Sequence, residues 1–132
     1  MSSDVSKRVK EALDRTEIMA LSTVGDDGSW VSPVRFEYNE RLELTFTSMM
    51  DTKHVQNILK DPRVSAAIYS FPGPPGGNLG LQIKGKAEHI SSGREEGWQQ
   101  FKITPDEVWY FDSRELRKRQ KVDLSKLQID KK

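Results

Sequence analysis

The run Thr47-Ser48-Met49-Met50-Asp51-Thr52-Lys53 gathers the residue types best suited to hold an anion. Hydroxyls stand where a strand is expected to end, and a hydroxyl and an ammonium stand where a helix is expected to begin. The first backbone N–H groups of a helix have no partner within it, and its dipole is positive at that end. A phosphate suits such a place, with Thr52 adding a hydrogen bond and Lys53 a full positive charge. The same residues also suit an ordinary capped helix whose lysine is solvated. The Asp51 carboxylate would compete with an anion for the same potential.

Other chemistries find less support. The sequence holds no cysteine, which excludes a disulfide framework, a thiolate metal site and a cysteine nucleophile. His54 and His89 lie far apart and share no ligand spacing, so no metal site is expected. His54 is expected in solvent. Lys84 and Lys86 alternate with Ile83 and Gly85, which is the pattern of a strand's solvent face rather than of a phosphate clamp. No nucleophile, base and acid form a triad, so no side chain is assigned a catalytic role.

The elements that must position these groups read as mainly β. Ser3 to Arg15 is expected as a helix, with Ser3 as its cap, Asp4 at the positive end of the dipole, and Val5, Val9, Ala12 and Leu13 on one face. Glu17 to Val24 reads as a strand and Gly25-Asp26-Asp27-Gly28 as a hairpin turn. Trp30 to Tyr38 and Leu42 to Phe46 then complete a three-strand meander. Asp51 or Thr52 caps a second helix, whose apolar stripe is Val55, Ile58 and Leu59 and which ends at Asp61-Pro62. Arg63 to Phe71 returns to strand, Pro72 to Asn78 is a loop, and Leu79 to Ile90 is a long strand. Gly85 within it marks a bulge or a close backbone approach. Arg94 to Phe101 reads as a short helix and Glu107 to Asp112 as the last strand. The expected architecture is a six-stranded antiparallel sheet with a few short helices, closed into a small split β-barrel.

With 132 residues, positions 1–132 are expected to form one domain. Only 35% of residues are hydrophobic, a thin supply for a lone core of this size, which favours burial against a second copy. From Ser113 to Lys132 eight Lys/Arg stand against three Asp/Glu, a balance of +5 that leaves −4 on the first 112 residues. Residues 113–132 therefore read as a basic C-terminal tail on an acidic body. No apolar run approaches the ~20 residues that span a bilayer. The start is charged and unlike a signal peptide, so no membrane partner and a cytoplasmic location are expected.

Several ordered segments resemble a known family. They are Met19-Ala20-Leu21-Ser22-Thr23-Val24, Asp27-Gly28, Val31-Ser32-Pro33-Val34-Arg35-Phe36, Leu44-Thr45-Phe46-Thr47-Ser48, Thr52-Lys53, Asp61-Pro62-Arg63-Val64 and Ile83-Lys84-Gly85-Lys86-Ala87-Glu88. In order and spacing this set resembles the pyridoxamine 5'-phosphate oxidase-like family of FMN-binding split barrels. The resemblance implies FMN as cofactor and a homodimer with FMN at the interface. It matches Ser32, Pro33, Val34 and Arg35 to the strand that runs beside the flavin ring. Thr47 and Ser48 match the strand exit near the ribityl chain and phosphate, and Thr52 and Lys53 match the grip on the phosphate. Trp30, Trp98 or Trp109 could cover the ring. Ser32 and Asp51 depart from the family pattern, which has arginine and a small or hydroxyl residue there. The family's C-terminal substrate pattern is not reproduced by Arg114, Arg117 and Arg119, which argues against vitamin B6 oxidation.

The reading that follows is an FMN-dependent oxidoreductase, its small-molecule substrate and electron donor unspecified, in which FMN carries hydride or electrons. The alternatives are a flavin-binding protein for storage, electron transfer or sensing, and a pocket that takes another cofactor such as a deazaflavin or haem. A nucleic-acid module is disfavoured, because the basic run Arg117-Lys118-Arg119-Gln120-Lys121 contains no aromatic residue.

Overall fold

The computed structural model describes residues 4–93, 95–114 and 118–130. In chain order the elements are α1 (Asp4–Asp14), β1 (Ile18–Gly25), β2 (Gly28–Arg35), β3 (Glu37–Tyr38), β4 (Leu44–Met49), α2 (Lys53–Lys60), β5 (Arg63–Ser70), β6 (Leu79–Ser92), β7 (Trp98–Asp112) and β8 (Gln120–Lys121), followed by a 3-10 turn at Leu124–Lys126. The strands form one eight-stranded antiparallel sheet in the order β2-β1-β5-β6-β7-β4-β3, with β8 also on β7. The expected mainly β, antiparallel split barrel is therefore present, with eight strands among the described residues in place of six.

The two ends of that strand order, β2 and β3, are neighbours in the chain with only Phe36 between them. A sheet whose first and last strands are so joined must curl until its edges meet, and β2 indeed touches β4. Phe36 is buried at this junction and its N–H donates to the Glu17 carbonyl. Alternation fills the interior: Met19 and Leu21 on β1, Leu44 and Phe46 on β4, Val64 and Ile68 on β5, Leu81 and Ile83 on β6, and Phe101, Ile103 and Val108 on β7. Helix α1 adds Val9, Ala12 and Leu13 to the same core. Among the described residues no helix is long and apolar enough to cross a membrane.

Gly85 carries both roles expected of it. The β6–β7 register shifts there, from Lys84 opposite Glu107 to Gly85 opposite Pro105, leaving Asp106 as the extra residue. A side chain at Gly85 would stand 2.3 Å from the Thr104 carbonyl oxygen, so only glycine admits the approach.

Four expectations are corrected. The segment taken as a helix over Arg94 to Phe101 is extended from Trp98 onward and opens β7, because pairing with β4 and β6 outweighs the helix preference of its Glu and Gln residues; Arg94 itself lies outside the described residues. The third strand begins at Leu44 rather than Leu42, since Leu42 turns the chain with a φ of 61°. The meander does not form as a unit: the second strand breaks at Phe36, and β4 pairs with β3 and β7. Within the expected basic tail, β8 pairs with β7, Val122 and Ile129 are buried, and the Gln128 N–H donates to Ser6 Oγ. Of the residues placed in that tail, Glu115, Leu116, Arg117, Lys131 and Lys132 lie outside the described set, as does the cap Ser3.

The return of the C-terminal segment is held by a buried carboxylate. Asp112, at the end of β7, is fully buried and accepts from Arg8 of α1 at 2.8 Å and from Arg114, which also reaches Glu11 of α1. Hydrogen bonds from Arg114 hold the Asp112 carboxyl down to about 2, against the burial that would raise it. A carboxylate depressed in the folded state stabilises fully above its unfolded pKa of about 4 and loses that contribution as pH falls toward about 2. Asp112→Asn should cost about 2 kcal/mol at neutral pH. In urea denaturation the gap to wild type should narrow at pH 2.5; an unchanged gap would remove the carboxylate from this role.

Candidate functional site

Helix α2 begins without a side-chain cap. Thr52 stands at the N-cap with extended backbone (φ −73°, ψ 151°), and its hydroxyl donates back to the Met49 carbonyl at 2.8 Å instead of accepting from the helix. The first amides of α2 therefore keep their outward donor capacity, as an anion site requires. Asp51 is exposed beside them.

Lys53 does not extend freely. Its Nζ donates to Asp27 Oδ2 at 3.2 Å and lies 4.5 Å from the centre of the Trp30 ring. The tip of the β1–β2 hairpin is thus tied to α2 twice, since Lys60 Nζ also meets Asp26 Oδ2 at 3.4 Å. Asn57 completes the seam: it donates to Thr23 Oγ1 at 3.0 Å and packs against Gly25, where a side chain would meet its Oδ1 at 2.5 Å. Asp26 and Asp27 keep negative φ while Gly28 takes 116°, a conformation that glycine adopts without strain, and the β1–β2 register runs unbroken to Gly25 opposite Gly28. Lys53 draws the Asp27 carboxyl below its ordinary value through the hydrogen bond between them. Both partners are largely exposed, so this ion pair is weak.

The two hydroxyls of the β4 exit point to opposite faces, as neighbours on a strand must. Thr47 is exposed, whereas Ser48 is buried and its Oγ lies 2.7 Å from His54 Nε2. His54 is thus corrected from solvent to interior: it is 8% exposed and tilts against Phe46. The buried face of α2 is His54, Val55, Asn57 and Ile58, while Leu59, expected on the stripe, is 52% exposed.

On β2, Ser32 and Val34 face inward and are buried, and Pro33 and Arg35 face outward opposite Ala20 and Ile18. Among the described residues β2 pairs with β1 alone, so its far edge carries backbone donors and acceptors with no strand partner among them. Pro33, which has no N–H, is tolerated on such an edge. Arg35 Nη1 donates to Glu17 Oε1 at 2.7 Å, again between exposed groups. Arg35 and Thr47 line a common cleft of about 430 Å³ with Phe36, Phe46, Glu17, Glu37, Thr45 and Trp98.

The eight residues singled out in the sequence therefore divide. Arg35 and Thr47 share the cleft; Thr52 and Lys53 mark the start of α2; Ser48 lies buried against the His54 of that helix; Ser32, Pro33 and Val34 contribute an edge strand. Of the three tryptophans, Trp98 lines the cleft and Trp30 touches Lys53. Trp109 lies on the outer sheet face, where its Nε1 donates to Glu107. Sequence reasoning placed Asp26 and Asp27 in the hairpin turn but did not pair them with Lys60 and Lys53. A signal was present: Lys53 and Lys60, seven residues apart, share one helix face that paired aspartates can reach.

A sequence-family model for pyridoxamine 5'-phosphate oxidase matches residues 5–127 of this chain. No curated protein sequence matches it. Among solved structures it is similar to a haem binding protein from Mycobacterium smegmatis, with a TM-score of 0.76 and 14% identity over 95% of this chain and 60% of that one. It is also similar to general stress protein 26 from Bacillus anthracis, with a TM-score of 0.71 and 15% identity over 91% and 100% of the two chains. An FAD-binding protein from Mesorhizobium loti gives a TM-score of 0.68 and 17% identity over 89% and 94%. At such identities the likeness is one of fold.

Burial holds the His54 ring below its ordinary pKa. The unfolded chain then takes up a proton at His54 below about pH 6.5 that the folded chain refuses, so stability falls as pH drops through that range. Thermal midpoints should decline from pH 7 to pH 5, and His54→Gln should flatten the decline. An equal slope in both proteins would place the titration elsewhere.

Proposed function

We propose that this chain, which belongs to the pyridoxamine 5'-phosphate oxidase family, is a homodimeric FMN-binding oxidoreductase. The observation that carries the reading is the uncapped start of α2 with Lys53 beside it, in a fold where β2 offers an unpaired edge. The residues present fit the cofactor. The α2 amides and Lys53 would hold its phosphate, Thr47 and Arg35 would line its path, and the β2 edge from Ser32 to Arg35 would meet the hydrogen-bonding rim of its ring. Asp27 and Glu17 hold the two cations by exposed pairs that an anion can replace. Bound FMN would supply hydride or electron transfer, and the protein's part is to bind and orient it. No side chain is assigned to the chemical step, and the substrate, the electron donor and a cytoplasmic location belong to the same proposal.

Haem is the competing cofactor, because one structural relative is a haem binding protein. Among the described residues no histidine lines the cleft of Arg35, Thr47 and Trp98, and His54 is engaged with Ser48. An axial ligand is therefore lacking there, which favours the flavin.

For the dimer, the outer face of β1, β2 and β5 is the surface we favour. Small residues Ala20, Ser22, Ser65 and Ala67 form a trough of about 350 Å³ against Val31, and Ile18 and Val24 stand exposed on the same face of β1. Small side chains allow close approach of a second sheet, and the exposed apolar rim gives it burial.

The purified protein, mixed with FMN and desalted, should retain one flavin per chain by its visible spectrum. Lys53→Ala should weaken FMN about tenfold and leave riboflavin affinity unchanged. A Soret band, or a colourless protein, would overturn the flavin reading. Separately, Val31→Glu should sediment as a monomer where wild type is a dimer; two dimers would move the interface elsewhere.

A further inference from the structure

We infer, on the flavin reading above, that Ser48 and His54 are positioning residues: their buried contact fixes the start of α2 against the strand that carries Thr47. Ser48 is the last inward residue of β4 and follows Thr47 directly. His54 follows Lys53 at the start of α2. Both side chains are buried, and Ser48 Oγ lies 2.7 Å from His54 Nε2. That single hydrogen bond joins the element that offers free amides and Lys53 to the element that offers the hydroxyl of the cleft. Neither side chain touches the cofactor in this role; each acts through its backbone neighbours.

The pair does more than fill space. Two apolar side chains of similar size would pack here without taking polar groups out of water. What a hydrogen bond adds is direction, since it is narrow in distance and angle where apolar contact lets a helix slide. The turn between β4 and α2 is shaped by its own bonds: the Thr52 N–H and hydroxyl both donate to the Met49 carbonyl, and Gln56 Nε2 donates to the Met50 carbonyl at 2.7 Å. Those bonds set the turn and not the pose of the helix on the sheet. The pose comes from the buried face, where His54 and Asn57, three residues apart, lie side by side. Asn57 is anchored to Thr23 of β1, and His54 to Ser48 of β4. A helix held at one point can pivot, whereas one held on two strands is fixed in position and rotation. Groups that grip a ligand keep their affinity only when their neighbours lock them in place.

The contribution is one of geometry and not of charge. Burial lowers the pKa of His54, so its ring is neutral at neutral pH and draws no anion to itself. Phe46 tilts against the ring with 6.2 Å between centroids and holds it toward Ser48. Removing the contact therefore leaves Lys53 and its charge in the protein but loosens the start of α2 that presents them. This separates the role of His54 and Ser48 from that of Lys53.

The test measures affinity for FMN and for riboflavin, which lacks the phosphate, by quenching of flavin fluorescence on the full chain at neutral pH. Wild type should prefer FMN. Ser48→Ala and His54→Leu should each weaken FMN about tenfold and leave riboflavin unchanged. His54→Gln, whose amide can renew the hydrogen bond, should stay within about twofold of wild type for FMN. The double variant Ser48→Ala/His54→Leu buries an apolar pair in the same space. It should match wild type in thermal midpoint yet bind FMN about tenfold more weakly, which keeps the test decisive if a single variant fails to fold. Unchanged FMN affinity in the folded variants, equal losses for FMN and riboflavin, or a loss in His54→Gln as large as in His54→Leu would overturn the positioning role and leave the flavin reading standing. A wild type that binds FMN no more tightly than riboflavin would overturn the phosphate site, and the positioning role with it.

Discussion

The closure of the sheet at Phe36 is the constraint from which the rest follows. β2 ends one border of the strand order and β3 ends the other, yet one residue joins them, so the sheet cannot lie open. Right-handed twist supplies the curl, and the bulge opposite Gly85 lets β7 change direction without breaking its ladder to β6. The first half of β7 then carries β4, and its second half carries β8. That division draws the β4 exit, the start of α2 and the β2 edge toward one side of the molecule.

Charge in this protein is arranged as pairs of unequal strength. At the base of the barrel, Asp112 is buried between Arg8 and Arg114, where leaving either partner out would strand a charge away from water. At the proposed site, Lys53 with Asp27 and Arg35 with Glu17 are exposed pairs, held loosely enough to exchange partners. The same chemistry of guanidinium or ammonium with carboxylate thus serves as a fastener in one place and as a replaceable counter-ion in another. Burial decides which.

One fold accommodates different cofactors among its structural relatives, which include a haem binding protein and an FAD-binding protein. What distinguishes them must lie in the residues that line the site, because backbone topology is shared. Under the reading proposed above, the lining of this chain would suit a phosphorylated ligand with a hydrogen-bonding ring. The cations and the free strand edge are there, and the two histidines are engaged with Ser48 and Gln99.

Much of the fold was legible from local pattern. A short apolar run marked β1, alternation marked β5 and β6, Pro62 marked the end of α2, and Gly85 announced a close approach that the Thr104 carbonyl makes. The residues that could hold an anion were legible for the same reason, since helix starts and strand exits have characteristic side chains. Long-range pairing was not legible. Trp98 to Phe101 is extended because β4 and β6 flank it, and no local preference records that. His54 lies inside because the buried face of α2 is His54, Val55, Asn57 and Ile58, with Asn57 docked on Gly25 and Thr23. Asp27 reached Lys53 only once the hairpin folded back over α2. The sequence by itself determined most of the element types, the candidate cations and the family resemblance, because these depend on neighbours along the chain. Tertiary structure alone decided which cations are paired and which hydroxyl faces the cleft. Those outcomes depend on groups far apart in sequence that meet only when the barrel closes.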